Sequence, residues 1–132
     1  MGCSSSSDGA GSAPSKKGGK VEIGYLDFRG GSRGNPTRYI ANYCGVNYVE
    51  KTYTGGTDQF AKVKGSIMEF GNLPYIIDGD VKLSETMGIM GYIAGKWKPE
   101  VCGRTPQKKA ECYRMQCICA DKFFAFMKLA FA

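Results

Sequence analysis

The stretch Asn72-Leu73-Pro74-Tyr75-Ile76-Ile77-Asp78-Gly79-Asp80-Val81-Lys82-Leu83-Ser84-Glu85-Thr86, residues 72–86, decides the fold. Short apolar runs flank Asp78 and Asp80, and Gly79 between them supplies the positive φ that a tight turn needs. This pattern predicts an antiparallel hairpin. A helix is expected next, from about Glu85 to Lys96, because apolar residues recur there at intervals of three and four.

The segment before the hairpin has a strand, helix and strand pattern. Residues 20–27 alternate around β-branched and aromatic side chains, which predicts a first strand. Asn35 suits the N-cap and Pro36 the first position of a helix that ends at Cys44. A second strand is expected over 46–53. One side of the helix is predicted to carry Tyr39, Ile40, Tyr43 and Cys44.

These elements predict an α/β fold with a mixed four-stranded sheet. A short helix or loop is expected over 58–64, between the second strand and the hairpin. The crossover between the first two strands makes them parallel, and the hairpin adds antiparallel pairing, which is the thioredoxin-like arrangement. The helix predicted after the hairpin contains Gly88, Gly91 and Gly95. Glycine destabilises a helix, so these residues are costly unless the helix backbone approaches the sheet closely.

The end of the sequence predicts one long helix, with Thr105 as cap and Pro106 at its first position. Between Cys117 and Phe131 this helix is apolar nearly all round, which predicts burial on several sides. No later part of the sequence supplies that burial. We therefore expect a linker and the first helix of an incomplete all-helical domain over 98–132, after an α/β domain over 21–97.

The first 20 residues hold no large apolar side chain after Met1 and are rich in Ser and Gly, which predicts a disordered tail. Their start fits the N-myristoylation motif at Gly2, and Cys3 is placed for palmitoylation. Because one acyl chain binds a membrane only marginally, attachment to a membrane surface would need second signals, which Cys3 and the lysines Lys16, Lys17 and Lys20 are placed to supply. A chance match in a disordered leader is the alternative.

Composition excludes several kinds of chemistry. The 132 residues include no histidine, which rules out Ser-His-Asp and Cys-His nucleophile pairs and His-ligated zinc. The six cysteines lack the spacing of a zinc site and follow no secretory signal, so we expect reduced thiols, no metal and a cytoplasmic location. The net charge of +6 forms no basic stripe, so no nucleic acid partner is expected.

Four segments carry a family resemblance through their order and spacing. They are Ile23-Gly24-Tyr25-Leu26-Asp27-Phe28-Arg29-Gly30, Asn72-Leu73-Pro74-Tyr75, Ser84-Glu85-Thr86 and Gly91-Tyr92-Ile93-Ala94. Together they resemble the glutathione transferases, most closely the mu and sigma classes, over about residues 20–132. The resemblance implies a glutathione-binding domain and the first helix of a second domain. It also implies glutathione as co-substrate, no other cofactor and a small electrophile as second substrate.

The resemblance gives Tyr25 the catalytic role, and the alternative is that it is one of eight tyrosines with its ring in the core. Its phenolic hydroxyl would donate a hydrogen bond to the glutathione thiolate and so lower the pKa of the thiol. Arg29 would support the loop that follows. A cis peptide before Pro74 would let Leu73, next to Asn72, pair with the cysteinyl backbone of glutathione. An ordinary edge-strand proline is the alternative at Pro74.

Further implied contacts lie at the two ends of glutathione. Glu85 and Thr86, at the start of a helix, suit the γ-glutamyl end, and helix capping alone would also explain Thr86. Phe60 and Lys64 suit the glycyl end, although a solvated Lys64 is the competing interpretation. Phe70 matches the aromatic key that related dimers insert into a neighbouring subunit, or else belongs to the local core.

Two functions compete at this point. The first is a glutathione transferase in which the activated thiol attacks an electrophile, in a conjugation or an isomerisation. The second is a non-catalytic scaffold or assembly subunit of the same fold, tethered to a membrane. A homodimer or a partner chain that covers the last helix is compatible with either. A thioredoxin-type oxidoreductase is disfavoured because no Cys-x-x-Cys follows the first strand.

Overall fold

A computed structural model describes residues 20–27, 32–54, 57–62, 64–67 and 69–130. The strands are Val21–Leu26 (β1), Tyr48–Tyr53 (β2), Tyr75–Asp78 (β3) and Val81–Ser84 (β4). The α-helices are Asn35–Tyr43 (α1), Thr57–Ala61 (α2), Lys64–Ile67 (α3), Thr86–Trp97 (α4) and Pro106–Ala130 (α5), and a 3-10 helix covers Pro99–Cys102.

The strands form one mixed sheet in the order β2-β1-β3-β4. β1 pairs in parallel with β2 and antiparallel with β3, and β3 pairs antiparallel with β4 around Gly79, whose φ is 61°. This confirms the predicted mixed four-stranded sheet and its hairpin. Since β1 and β4 are each antiparallel to β3, they run in the same direction.

Two apolar clusters lie on opposite faces of the sheet, because successive residues of a strand point to opposite faces. The larger cluster packs α1 and α4 onto the sheet and consists of Val21, Ile23, Ala41, Val46, Ile76, Ile89 and Ile93. The smaller cluster consists of Tyr53, Phe60 and Tyr75. The end of β1 lies beyond the larger cluster, which leaves the side chain of Tyr25 half-buried.

Gly24 makes room for a buried tyrosine. A Cβ at Gly24 would lie 2.1 Å from two ring atoms of Tyr75, which pairs with Gly24 across the sheet. The Tyr75 hydroxyl donates to Glu22 Oε1 at 2.7 Å and lies 2.9 Å from the Tyr53 hydroxyl. Burial, reinforced by these hydrogen bonds, strongly raises the pKa of Tyr75. Tyr75 therefore stays a neutral hydrogen-bonding group within the sheet.

The tyrosines of α1 lie on its outer surface. Of the four residues predicted to share one side of this helix, Tyr39 and Tyr43 are 68% and 63% exposed, whereas Ile40 and Cys44 pack against the larger cluster. Thr37 and Ala41 are fully buried. Small side chains face α4 here, since α1 and α4 pack together under the sheet, and the bulky tyrosines are left on the outside.

The start of α1 also differs from the prediction. Asn35 is the first helical residue rather than the cap, and Gly34 holds the cap position without a side-chain hydrogen bond. The amide oxygen of Asn35 accepts from Arg38 Nη1 at 2.8 Å, so it is engaged with a side chain one turn further along the helix. The Thr37 hydroxyl donates to the carbonyl oxygen of Gly34 at 2.6 Å and ties the first turn together.

The glycines of α4 do not serve a close approach to the sheet. No atom lies within 4 Å of a Cβ built at Gly88, Gly91 or Gly95. The expectation of close approach is therefore wrong, because the packed face of α4 is formed by Ile89 and Ile93 while these glycines face outward. Their conformational cost is uncompensated in the described part of the chain.

Helix α5 begins as predicted and lies open. Thr105 Oγ1 accepts from the backbone N–H of Lys108 at 3.2 Å, which confirms Thr105 as the cap. Within the described part of the chain, no residue of α5 is buried. The burial that the apolar pattern of this helix predicted is therefore not provided by the other described residues. Among the helices of the described ranges, none combines the length and apolarity that crossing a bilayer requires.

An ion pair at the end of β3 predicts how stability depends on pH. Lys96 Nζ pairs with Asp78 Oδ2, which also accepts from the Tyr92 hydroxyl at 2.7 Å. Burial by itself would raise the pKa of Asp78, but the hydrogen bonds from Lys96 and Tyr92 outweigh it and lower that pKa below its usual 3.8. We expect the resulting stabilisation to be present above pH 3.8 and lost as the pH falls through the lowered pKa.

Lys96, the other partner in the ion pair, determines how stability changes at high pH. The hydrogen bond to Asp78 raises the pKa of Lys96 above 10.5, so its contribution is present below that pH and lost as the pH rises through the raised pKa. Asp78→Asn should lower the free energy of unfolding at neutral pH by about 1 kcal/mol and flatten the acid limb. Urea titrations across pH check this, with Asp80→Asn in the exposed turn as control. An unchanged acid limb in Asp78→Asn would contradict it.

Candidate functional site

A pocket lies beside the end of β1 and is called here the Tyr25 pocket. Its volume is about 340 Å³. It is lined by Tyr25, Leu26, Arg33, Phe60, Ala61, Lys64, Gly71, Asn72 and Leu73. Five of the residues predicted to contact glutathione therefore share one pocket, although Phe60 and Leu73 are 13 residues apart in sequence (73 minus 60) and Tyr25 lies farther still.

Tyr25 is held by the start of α1. A Cβ at Gly34 would lie 2.6 Å from Tyr25 Cγ, so the ring packs directly on the glycine backbone. The Arg38 guanidinium carbon lies 5.8 Å from the centre of the ring. Arg38 is itself fixed by Glu50 Oε1, which accepts from its Nε at 2.6 Å. A fixed ring with a nearby cation suits a hydroxyl that must stay aimed at one point of the pocket.

Phe60 and Lys64 occupy the pocket wall in different ways. Phe60 is only 5% exposed, and its ring stacks on Tyr75 with centroids 6.3 Å apart. It is therefore mainly a core residue with one edge at the pocket. Lys64 is exposed at the start of α3, and its stem lies against Gly71, where a Cβ would meet Lys64 Cβ at 2.9 Å. Gly71 thereby lets the Lys64 stem run along the pocket.

The Leu73–Pro74 peptide bond is cis, and Pro74 is buried behind the pocket. The backbone N–H of Leu73 donates to Asn72 Oδ1 at 2.9 Å. The amide nitrogen of Asn72 donates to Glu85 Oε1. The Asn72 side chain therefore binds the backbone of Leu73, which was predicted to pair with glutathione. It also binds the carboxylate of Glu85, which was predicted to contact the γ-glutamyl end.

A second, larger pocket adjoins the first and is called here the α5 pocket. It has a volume of about 540 Å³ and is mostly apolar. Its walls come from the starts of α1 and α4 and from the middle of α5. The lining residues are Arg33, Pro36, Glu85, Thr86, Met87, Met90, Met115, Gln116, Cys119, Ala120, Phe123 and Phe124. Glu85 and Thr86 thus line this pocket and not the Tyr25 pocket.

Arg33 borders both pockets and was missed from the sequence. Its guanidinium carbon lies 4.7 Å from the centre of the Phe124 ring, and its carbonyl oxygen accepts from Thr86 Oγ1 at 3.0 Å. Thr86 is therefore bound to the loop before α1 and does not cap α4, which has no side-chain cap. The available signal was that Arg33 is the one long side chain in 30–34, a stretch of small residues.

The remaining predicted positions fall outside these pockets. Phe70 is 73% exposed, so the local-core interpretation is wrong, and its carbonyl oxygen accepts from Ser84 Oγ at 3.1 Å. Arg29, Gly2 and Cys3 lie outside the described residues. Within the ranges that the structure describes, no three His, Cys, Asp or Glu side chains come close enough to hold a metal ion.

A family profile matches most of the α/β part of the chain. The profile is the glutathione S-transferase N-terminal domain, and it covers residues 21–95, which is more than half of the chain. The match includes the four strands, most of α4 and the lining of the Tyr25 pocket. It therefore bears on the same residues that carry the predicted site.

Individual relatives agree with this profile. The class-mu 26 kDa glutathione S-transferase isozyme of Schistosoma mansoni is 33% identical over 112 residues, covering 83% of this chain and 55% of its own. A glutathione S-transferase of Tyrophagus putrescentiae is 40% identical over 84 residues, covering 60% of this chain and 38% of its own. The chain thus spans about half, or less, of the curated relatives it matches.

The fold agrees as well. A glutathione S-transferase structure from Caenorhabditis elegans superposes with a TM-score of 0.71 at 24% identity, over 84% of this chain and 52% of the other. At that identity the superposition speaks for the fold alone. Taken with the profile match over 21–95, it places this chain in the glutathione S-transferase family.

Proposed function

We propose that this chain binds glutathione in the Tyr25 pocket and activates its thiol for attack on an electrophile. The observation that carries the proposal is the convergence of Tyr25, Lys64 and Leu73 on one pocket of tripeptide size. A hydroxyl donor, a cation and a backbone edge are the groups that a thiol, a carboxylate and a peptide backbone require. The S. mansoni and T. putrescentiae relatives, named as glutathione S-transferases, support the same assignment.

Tyr25 is the proposed catalytic residue. Its hydroxyl donates a hydrogen bond to the thiolate of bound glutathione, which stabilises the charged form and lowers the pKa of the thiol. The thiolate is the nucleophile, so a larger ionised fraction gives a faster attack. The ring packing on Gly34 fixes the direction of that donor before the ligand arrives.

The other groups orient the tripeptide. Lys64 pairs with the glycyl carboxylate as a point charge. Leu73 offers its backbone to the cysteinyl residue once Asn72 gives up its hydrogen bond to the Leu73 N–H. The γ-glutamyl end reaches the boundary with the α5 pocket, where Glu85, which accepts from Asn72 of the Tyr25 pocket, pairs with its α-ammonium. Thr86 lies beside Glu85 at the first turn of α4. Phe60 closes the pocket from the core side, with Pro74 behind Leu73.

We propose that the α5 pocket receives the electrophile. It adjoins the Tyr25 pocket through Arg33, so a bound electrophile would face the thiol. Methionines and phenylalanines dominate its wall, which favours an apolar substrate. Because the chain spans about half the length of its relatives, the complete wall, the substrates and the activity of the whole protein all belong to this proposal.

Glutathione binding and conjugation test the function separately. Calorimetric titration of the chain with glutathione should show saturable binding, and a conjugation assay with a generic aryl halide should show turnover above the uncatalysed rate. Binding without turnover would favour the competing proposal, a non-catalytic subunit of the same fold. The absence of any glutathione binding would refute the proposed transferase.

Lys64 gives a prediction about affinity. Lys64→Gln removes a charge-assisted hydrogen bond to the glycyl carboxylate and should weaken glutathione binding about tenfold, as expected for a loss near 1.5 kcal/mol. Lys62→Gln is the matched control, because Lys62 is equally exposed two residues earlier and does not line the pocket. Titration calorimetry compares the two. Equal affinities in both variants would remove Lys64 from the site.

Assembly, location and domain division are proposed on sequence grounds. We propose a homodimer to which exposed Phe70 contributes, or a partner that covers α5.

We also propose a cytoplasmic protein whose tail, acylated at Gly2 and Cys3, attaches peripherally to a membrane. The domains would be the tail to residue 20, the glutathione-binding domain over 21–97 and the start of a helical domain over 98–132. Intact-protein mass spectrometry decides on the acyl groups.

A further inference from the structure

Three half-buried thiols lie outside both pockets. Cys44, Cys102 and Cys112 are free, whereas Cys117 and Cys119 on α5 are exposed. Cys44 directly follows α1, and Cys102 ends the 3-10 helix. The Cys112 thiol donates to the carbonyl oxygen of Val101 at 3.7 Å, one residue from Cys102. Cys102 and Cys112 therefore both lie at the 3-10 helix.

The sheet topology brings Cys44 and Cys102 to the same end of the fold. β1 and β4 run in the same direction, because each is antiparallel to β3. α1 follows β1, α4 follows β4, and both helices pack on the same face of the sheet through one apolar cluster. The two helices consequently end on the same side, where Cys44 follows one and the 3-10 helix follows the other.

Direct contacts agree with this placement. Lys98 Nζ lies 4.1 Å from the centre of the Tyr43 ring, which joins the end of α1 to the end of α4. Cys44 and Trp97 pack against the same apolar cluster. The Val101 N–H donates to the Lys98 carbonyl oxygen at 3.0 Å, so the 3-10 turn stays compact between Lys98 and Cys102.

The surroundings of Cys44 change the pKa of its thiol. Burial raises the pKa of Cys44, Lys98 opposes the rise, and negative charge on Cys102 or Glu100 adds to it. Because its pKa is raised, Cys44 is less ionised than an ordinary thiol, which suits it to the second step of an oxidation.

We propose that Cys44 and Cys102 form an oxidation-sensitive pair that a hydroperoxide converts into an intramolecular disulfide. The Cys102 thiolate attacks one oxygen of the peroxide, so that an S–O bond forms and the O–O bond breaks. The hydroxide that leaves takes up the proton that Cys102 released on ionisation and becomes water. The Cys44 sulfur then attacks the sulfenic sulfur; the S–S bond forms, the S–O bond breaks, and a second water leaves. Two thiols and one hydrogen peroxide thus give one disulfide and two waters.

The disulfide would join the end of α1 to the segment that leads into α5. That segment sets where α5 starts, and α5 forms one wall of the α5 pocket. The bond is separate from the Tyr25 pocket, so this inference stands independently of glutathione binding. It also assigns a role to two half-buried thiols that the proposed transferase chemistry does not use.

Tryptic mapping of the full chain tests the proposal. The reduced protein is treated with hydrogen peroxide, remaining thiols are alkylated, and the digest is analysed by mass spectrometry. Trypsin places Cys44 in residues 39–51, Cys102 in 97–104, Cys112 in 110–114, and Cys117 with Cys119 in 115–122. We expect the cross-link between 39–51 and 97–104 to form first, with equal loss of both free thiols and full reversal by dithiothreitol.

Matched variants separate the pair from the other thiols. The double variant Cys117→Ser and Cys119→Ser should form the cross-link at the wild-type rate. Cys44→Ser and Cys102→Ser should each abolish it, and neither should show the rise in melting temperature that oxidation gives the wild type. A first cross-link between 97–104 and 110–114, or oxidation of Cys102 only to sulfinic acid, would overturn the proposal.

Discussion

Tyr25→Phe should lower kcat/KM for conjugation by about a hundredfold, the usual cost of removing one donor from a developing or bound anion. Glutathione affinity should change little, because the hydroxyl acts on the ionised thiol and not on the ends of the tripeptide. The phenyl ring keeps the packing on Gly34. The loss should therefore appear in the chemical step and not in folding.

A pH profile distinguishes this effect from a structural one. With the donor removed, the pKa of bound glutathione should rise, so the rate should recover partly at higher pH, and ultraviolet thiolate absorbance should report the same shift. Tyr39→Phe is the control, since Tyr39 is 68% exposed on α1 and away from both pockets. An unshifted profile, or an equal loss in Tyr39→Phe, would remove Tyr25 from the chemistry.

Gly24→Ala should reduce the free energy of unfolding by about 3 kcal/mol, near the upper end of the cost of overpacking a core. The new methyl group would lie 2.1 Å from two ring atoms of Tyr75. The ring must then move, and its hydrogen bonds to Glu22 and Tyr53 are weakened or lost. Because β1 lies between β2 and β3, the disturbance falls on the central pairing of the sheet.

Gly91→Ala is the matched control. Nothing lies within 4 Å of a Cβ at Gly91, which is exposed in the middle of α4, so alanine should stabilise the helix by up to about 1 kcal/mol. Urea unfolding measures both variants. The cost of Gly24→Ala should also fall when Tyr75 is replaced by leucine, because the clash is with that ring. Additive effects of the two substitutions would place the clash elsewhere.

The parts of the fold that local signals specify were predictable. Gly79 marks the hairpin turn through its backbone conformation, and Thr105 marks the start of α5 through its side chain, and the structure has both. The buried side of α1 was not predictable in this way. Tyr39 and Tyr43 satisfy a helical period, but the contact surface of α4 selects the small residues Thr37 and Ala41.

The same distinction applies to the candidate site: residues near a sequence motif could be predicted, and a residue whose contacts are distant in sequence could not. The resemblance is the source of the prediction that Tyr25, Lys64 and Leu73 belong to the site, because their neighbours in sequence carry family motifs. Arg33 could not be found that way, because its contacts are Thr86, 53 residues away, and Phe124 on α5. Such contacts exist only once the sheet and helices have packed, so periodicity and spacing contain no record of them.

The position of Asn72 bears on where ligand affinity comes from. Its side-chain oxygen accepts from the Leu73 N–H, much as a peptide carbonyl would. A ligand that pairs with Leu73 therefore exchanges one hydrogen bond for another, and the exchange contributes little net free energy. For glutathione bound as proposed, we expect the middle of the tripeptide to set its register and the charged groups at its two ends to give selectivity.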